Sequence, residues 1–295
     1  MAEDKSRIGF IGLGLMGQAF ARRLVACGYA VTGYDVVADK MRAVEALGVR
    51  SAGSAAEVAR ASDQLHVCVM TKDDLAAAVF GADGIAASGA PGKLVIDHST
   101  TEVGETRAFA ERLRAEAGMG WVDAPVSGGP PAAAAGTLAI MVGAAPEVFA
   151  RVEAGLEDLG AVTHMGPPGA GQVTKMVNQI LVLNNYCILA EALALAEAGG
   201  VDAARIPAAL ASGYAGSNML KSLFPRLEQR DFEPAGYAFQ VMKDLDMVQS
   251  LAKELQVPTP MSAQSATLFR ILNAKGHGRL DGLAVFKLYD KDEHV

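Results

Sequence analysis

Short apolar runs alternate with amphipathic, alanine-rich stretches through the first half of the chain. The runs at 7–11, 30–34, 65–70, 93–97, 121–122 and 138–142 are bounded by glycine, aspartate and other polar residues, the pattern of buried strands. Between them, 19–26 and 55–61 space their apolar residues as a helix does. Strands that alternate with helices predict a parallel sheet covered by helices on both faces. The pattern breaks at Met165-Gly-Pro-Pro-Gly-Ala-Gly171, where glycine and proline cluster. Beyond the break one long helix is expected over 172–198, stopped by Gly199 and Gly200. Further helices are expected at about 203–212, 217–228, 241–256, 260–275 and 280–290, with no strand pattern among them. The chain is therefore expected to hold an α/β domain over 1–166 and an all-helical domain over 167–295, joined by the long helix. A ligand cleft is expected at such a junction.

Composition narrows the class. With 295 residues, 51% hydrophobic and 20% charged, the chain can bury two cores. A net charge of -7 gives no general attraction to nucleic acid or to an anionic membrane. Cys27, Cys68 and Cys187 lie far apart without a C-x-x-C pair, so buried thiols in a reducing compartment are expected, not a disulfide framework. His66, His98, His164, His277 and His294 form no pair at ligand spacing, and no metal is expected. No G-x-S-x-G elbow of a hydrolase occurs. The polar, mixed-charge start has no apolar signal core. The most apolar stretch, 176–198, is interrupted by Asn178, Asn184, Asn185, Glu191 and Glu197, and reads as a buried helix. A cytosolic protein is the expectation.

The first strand runs directly into Gly12-Leu13-Gly14-Leu15-Met16-Gly17 and then a helix. In that setting G-x-G-x-x-G is a dinucleotide-binding turn: Gly12 permits the turn, Gly14 lets backbone approach a pyrophosphate, and Gly17 lets helix and strand pack closely. The helix N-terminus offers free N–H groups to the phosphates. Asp35 ends the next strand, where a carboxylate accepts from the ribose hydroxyl of NAD and repels the 2′-phosphate of NADP. NAD is the favoured cofactor, with NADP as the alternative; a glycine turn beside a solvated Asp35 is the structural reading of the same residues. The first domain is thus expected to be of Rossmann type.

Residues Phe10-Ile-Gly-Leu-Gly-Leu-Met-Gly17 resemble the N-terminal signature of the β-hydroxyacid dehydrogenase family, which includes 3-hydroxyisobutyrate dehydrogenase and tartronate semialdehyde reductase and is related to 6-phosphogluconate dehydrogenase. Further motifs agree in order: Ile96-Asp-His-Ser-Thr100, Asp123-Ala-Pro-Val-Ser-Gly-Gly129, Gly169-Ala-Gly-Gln-Val-Thr-Lys175-Met-Val-Asn178 and Lys243-Asp-Leu245. The resemblance implies Lys175 as catalytic acid/base, Ser127, Gly128 and Gly129 as the holders of a substrate carboxylate, and Asn178 as a further substrate contact. It implies Thr100 beside the nicotinamide and Lys243 reaching toward cofactor or substrate, in a dimer or tetramer whose helical domain carries association. Ser217, Phe239 and Asp244 would shape the distal substrate pocket. Departures from the pattern are Gln179, where many members carry a second Asn, Phe20, where a smaller or unbranched apolar residue is usual, and His98 at a variable place.

The chemistry accounts for these residue types. Hydride transfer belongs to the cofactor, while the protein must orient it and move a proton. A lysine can do so when burial or nearby charge tunes it. Lys175 and Asn178 stand three apart on the expected helix and share a face; an isolated lysine there would instead snorkel to water. Ser127-Gly-Gly129 offers N–H and hydroxyl donors to an anion, or forms an ordinary turn before Pro130 and Pro131. Thr100 ends a strand where such folds bind ligands, and also suits the cap of a helix near Glu102. Met70 and Thr71 end another strand at the same edge, where Met70 could line the cofactor. Lys243, beside Asp244 and Asp246, would otherwise read as solvated surface. The activity so implied is hydride transfer between NAD(P) and a small β-hydroxy acid or its semialdehyde. The alternatives are an imine reductase of the same fold, in which Lys175 would usually be replaced, and a cofactor-binding protein without catalysis.

Overall fold

The computed structural model describes residues 6–290, so His294 and the first five residues lie outside it. Contacts divide the chain into two units, Met1–Lys175 and Met176–Val295.

In the first unit, nine strands among the described residues form one sheet. They are β1 (Ile8–Ile11), β2 (Val31–Tyr34), β3 (Arg50–Ser51), β4 (Gln64–Val67), β5 (Leu94–Asp97), β6 (Gly120–Asp123), β7 (Val126–Ser127), β8 (Leu138–Gly143) and β9 (Gly160–Gly166). Their order is β3-β2-β1-β4-β5-β6-β8-β7, with β9 paired to β8. The strands from β1 to β6 are parallel, as expected. Beyond them the sheet is mixed, because β8 runs antiparallel to β6 and β7 while β9 runs parallel to β8. The helices are α1 (Leu15–Ala26), α2 (Ala38–Glu45), α3 (Ala55–Ala61), α4 (Lys72–Phe80), α5 (Val103–Ala117), α6 (Gly129–Ala135), α7 (Pro146–Phe149) and α8 (Glu153–Glu157).

Both faces of the central strands are buried, which is why they read as unbroken apolar runs. Side chains still alternate: Ile8, Phe10, Leu94, Ile96 and Val122 join one core with Phe20 and Leu24 of α1. Ile11, Val95 and Trp121 join the other with Val58, Leu75 and Leu113. Three strands were not expected. β3 and β7 have two residues each, and β9 is an edge strand with exposed Thr163, His164 and Met165, so it lacks apolar periodicity. The strand expected over 65–70 stops at Val67, because Thr71 caps α4 in a reciprocal box with Asp74. The Ala-rich piece after Pro131 is a helix, α6; its prolines sit in the first turn, where a missing N–H costs nothing.

The second unit continues α9 (Ala170–Ala198) and adds α10 (Ile206–Leu210), α11 (Asn218–Glu228), α12 (Ala238–Glu254) and α13 (Pro260–Ala274). The helix expected over 203–212 begins as a 3-10 turn, Ala203–Arg205, and the one expected over 280–290 is a 3-10 segment, Gly282–Leu288. Leu183, Cys187 and Leu193 of α9 pack with Phe224, Leu245, Phe269 and Phe286. By length and composition α9 could cross a membrane. Its inner face instead forms this core, and Asn184 donates to the Ser262 hydroxyl of α13 at 3.1 Å. The units divide inside α9, after Lys175, and not at the glycine-proline break near 166. The reason is local: the first turns of α9 are bonded to the ends of β5 and β6.

Candidate active site

The phosphate loop forms as its spacing requires. A methyl at Gly17 would lie 1.9 Å from the Gly12 carbonyl oxygen, so no larger residue lets α1 leave β1 at this angle. At Gly14 a methyl would meet nothing within 4 Å, and α1 has no side-chain cap. The protein's own packing therefore does not demand glycine at 14, whereas a pyrophosphate approaching the helix N-terminus would. The Leu13 side chain is buried in the core, and Leu15 and Met16 open the helix. Asp35 is only 9% exposed: Oδ2 accepts from the Leu13 N–H at 2.8 Å, Oδ1 from the Val37 N–H at 2.9 Å, and Lys40 Nζ lies 3.2 Å away. Asp35 thus braces the loop as well as presenting a carboxylate beside it. Met70 is exposed in the loop before α4. These residues fit a dinucleotide.

Thr100 follows β5 and is not used as a cap: α5 starts at Val103 with Glu102 as its N-cap and no side-chain bond. The backbone on both sides of Thr100 is held by one side chain. Gln172 Nε2 donates to the Ser99 carbonyl at 2.8 Å, and the Thr101 N–H donates to Gln172 Oε1 at 3.2 Å. The α9 end that carries Gln172 is itself fixed by Asp123 at the end of β6. Asp123 accepts from the Gly169 N–H at 2.8 Å and the Gln172 N–H at 3.0 Å. A methyl at Gly171 would lie 2.4 Å from the Met141 carbonyl oxygen, so only glycine permits so close an approach.

Asp123 pairs in register with Asp97 of β5. Burial pushes Asp97 up to about 7, with the Asp123 charge adding to it, while hydrogen bonds from Ser99 and Thr101 oppose the shift. The Ser99 N–H donates to Asp97 Oδ1 at 2.9 Å, and Oδ2 has no partner of full hydrogen-bond geometry. Burial pushes Asp123 up to about 6, against the backbone N–H groups that favour its charge.

Lys175 lies one turn beyond Gln172 and is 8% exposed. Its Nζ donates to the Val126 carbonyl at 2.8 Å. That contact brings the ammonium beside Ser127, the neighbour of Val126 on β7. Gly128 has φ 129° and Gly129 φ 70°, both favouring glycine, and they turn the chain from β7 into α6. Lys175 and the Ser127-Gly128-Gly129 turn thus lie side by side, and sequence reasoning missed Asp123 and Gln172, which fix the first turns of the lysine's helix.

The departures at Phe20 and His98 explain each other. Their rings stack with centroids 4.6 Å apart, and His98 also stacks on His66 at 5.1 Å. His98 Nδ1 bonds the Ala124 carbonyl at 2.8 Å, and His98 Nε2 bonds His66 Nδ1 at 2.9 Å. A carbonyl only accepts, so His98 carries its proton on Nδ1 and accepts at Nε2 from His66 Nδ1–H. Burial holds His98 down at about 4 and His66 well below the usual histidine range. Both rings are neutral and tie the ends of β4, β5 and β6 together.

In the second unit, Asn178 Nδ2 donates to Gln179 Oε1 at 2.9 Å, and Gln179 donates to Asp244 Oδ2. Lys243 Nζ lies 3.2 Å from Asp244 Oδ1. Gln179 thus has a partner that an asparagine would be too short to reach from the same backbone position. Ser217 caps α11 through the Leu220 N–H, and Phe239 stacks on Tyr237. A concavity of about 740 Å³ beside Arg7, Arg50 and Arg60, at the N-terminal ends of β1 and β2, contains none of the expected site residues. Its arginines are engaged with Asp63, Thr32 and Ser88.

A glycine loop at the C-terminal edge of the parallel part of the sheet fits a nicotinamide dinucleotide, and the relatives of the chain make the protein a nicotinamide-dependent oxidoreductase. Residues 7–177 match the NAD binding domain of 6-phosphogluconate dehydrogenase, and 169–289 the NAD-binding region of NADP-dependent 3-hydroxyisobutyrate dehydrogenase. The chain is 36% identical to the 2-hydroxy-3-oxopropionate reductase of Escherichia coli, over 95% of both chains. It is 35% identical to a probable 3-hydroxyisobutyrate dehydrogenase-like protein of Arabidopsis thaliana, over 94% of this chain and 85% of the other. The crystal structure of 3-hydroxyisobutyrate dehydrogenase from Salmonella typhimurium superposes with a TM-score of 0.88 at 28% identity, over 96% of this chain and all of that one. The chain belongs to the β-hydroxyacid dehydrogenase family and is an NAD(P)-dependent oxidoreductase of CH–OH groups.

Proposed function

We propose that the protein interconverts a small β-hydroxy acid and its semialdehyde, of the 3-hydroxyisobutyrate or tartronate semialdehyde and glycerate type, with Lys175 as the proton-transfer group. The observation that carries this reading is the Lys175 Nζ bond to the Val126 carbonyl, beside the Ser127-Gly128-Gly129 turn. A carboxylate held by the Ser127 hydroxyl and the backbone N–H groups of that turn leaves the β-hydroxyl of a three- or four-carbon acid within reach of Nζ. In oxidation the hydroxyl proton passes to neutral Lys175; in reduction the ammonium returns a proton to the carbonyl oxygen. The nicotinamide, when bound, supplies the hydride acceptor or donor. Asn178 is assigned a further substrate contact, and Lys243 a contact to cofactor or substrate. Asp35 favours NAD over NADP, since a carboxylate at this strand end accepts from a ribose hydroxyl and opposes a 2′-phosphate.

The test is turnover on a panel of small hydroxy acids and semialdehydes with each cofactor. Lys175→Ala should lower kcat by roughly 10²–10⁴-fold, the range for a positioned acid/base, while cofactor affinity stays near wild type. A variant that retains full turnover would remove Lys175 from the mechanism.

We also propose a homo-oligomer. It is supported by the apolar side chains that α9 leaves exposed, Val177, Leu181, Ile188 and Leu195.

A further inference from the structure

We propose that Gln172 is a positioning residue, which by bracketing Thr100 from the first turns of α9 holds the nicotinamide-side loop at a fixed distance from Lys175. This rests on the proposed function, in which Lys175 moves the proton, and on the place beside the nicotinamide that the family resemblance implies for Thr100.

Gln172 is completely buried, and so are Ser99 and Thr101 within a few per cent. Its amide behaves as a strand neighbour would, donating to the carbonyl before Thr100 and accepting from the N–H after it. One side chain thereby fixes the backbone on both sides of Thr100. Gln172 and Lys175 lie on the same helix three residues apart, a rise of about 4.5 Å with no joint between them. The helix start does not need this side chain for capping, since Asp123 already accepts from the Gly169 and Gln172 N–H groups. Nor does packing need an amide there, because an apolar residue would fill the same volume. What an apolar residue would not do is pair Ser99 and Thr101, both cut off from water. The amide is therefore assigned to registering the Thr100 loop against the helix that carries the lysine. Asp123 holds that helix and Gln172 holds the loop to it.

Calorimetric titration of the apo protein with its preferred nicotinamide cofactor, and with the matching ADP-ribose that lacks only the nicotinamide ring, reads this loop apart from turnover. In Gln172→Met, of similar volume but without hydrogen bonds, cofactor affinity should fall about five- to tenfold while ADP-ribose affinity stays within about twofold. In the same variant kcat should fall about 100-fold, with a smaller change in KM for the hydroxy acid, as expected when reacting groups are misplaced by about an ångström. Equal weakening of both ligands would make Gln172 merely structural, and no change in either would leave it without a role; both outcomes overturn the proposal. Gln172→Glu guards against a variant that does not fold. Its carboxylate still accepts from the Thr101 N–H, and once protonated it can donate to Ser99. Its cofactor-specific defect, measured against wild type at each pH, should shrink as pH falls, helped by the Asp97 and Asp123 carboxylates that disfavour a third charge. A defect independent of pH overturns the proposal as well. Wild-type protein that binds neither NAD nor NADP would instead overturn the underlying reading of the site, so the two failures are distinct.

Discussion

Gly14 and Gly17 sit three residues apart in one loop and are glycine for different reasons. At Gly17 a methyl collides with backbone at 1.9 Å, whereas at Gly14 it points into open space and φ is -69°, which alanine adopts readily. Gly14→Ala should therefore leave apo stability within about 1 kcal/mol of wild type, or raise it slightly through the unfolded chain, while weakening cofactor binding. Gly17→Ala should destabilise the apo protein by about 2–4 kcal/mol, since backbone must move. Thermal melts and cofactor titration of the two variants separate the cases; a Gly14→Ala protein as unstable as Gly17→Ala would count against a ligand-facing role. The motif's spacing made all three glycines legible, but not which of them serves packing. Phe20 and His98 were likewise legible as departures from the family pattern. Their stacking was not, because it joins α1 to the end of β5 across 78 positions of sequence (98 minus 20).

The strand ends carry the electrostatics of the first unit, and there opposing groups titrate. Asp97 and Asp123, held up at about 7 and about 6 by burial, favour the folded state fully only below the ordinary carboxylate value near 3.8. Their contribution is lost as pH rises through about 6 to 7. His98, held down at about 4, has the opposite sign: its contribution is present above about 6.5 and is lost as pH falls through 4. Asp97→Asn should therefore stabilise the protein at pH 8, where it removes a buried charge, by an amount on the order of 2–4 kcal/mol, and raise its melting temperature. At pH 5 the folded wild-type carboxyl is protonated while the unfolded one is ionised, so the gain should fall to less than about half, and it vanishes only near the ordinary value of 3.8. Melting curves at the two pH values decide it: a gain equal at both would assign the effect to packing, and none at pH 8 would mean the charge is better compensated than the geometry suggests. The buried strands around these residues were legible, because chains covered on both faces read as apolar runs. The edge strand β9 and the two-residue β7 carried no such signal. Asp123 was read only as the first residue of a substrate motif, since the N–H groups that it accepts from lie 46 and 49 residues further on.

The proposed association belongs to the scale of the whole molecule and rests on the side chains that α9 leaves exposed. Leu183, Cys187 and Leu193 face the core, while Leu181 is 65% exposed and Leu195 76% exposed. Val177, Leu181, Ile188 and Leu195 follow one another at intervals of 4, 7 and 7 residues, so they form a stripe along one side of the helix. With a net charge of -7, two copies repel each other at long range, so contact between them must come from apolar burial. A second copy offers the matching apolar stripe, and isologous pairing lets one surface serve both partners. Each leucine so buried is worth about 1.5–3 kcal/mol. Light scattering of the purified protein should give a mass that is an even multiple of 30.6 kDa. Leu181→Glu combined with Leu195→Glu should lower that mass while leaving far-UV circular dichroism unchanged, because neither side chain is in the core of the second unit. A wild-type monomer would remove the stripe as an interface. An oligomer unaffected by both substitutions would place the contact on another surface.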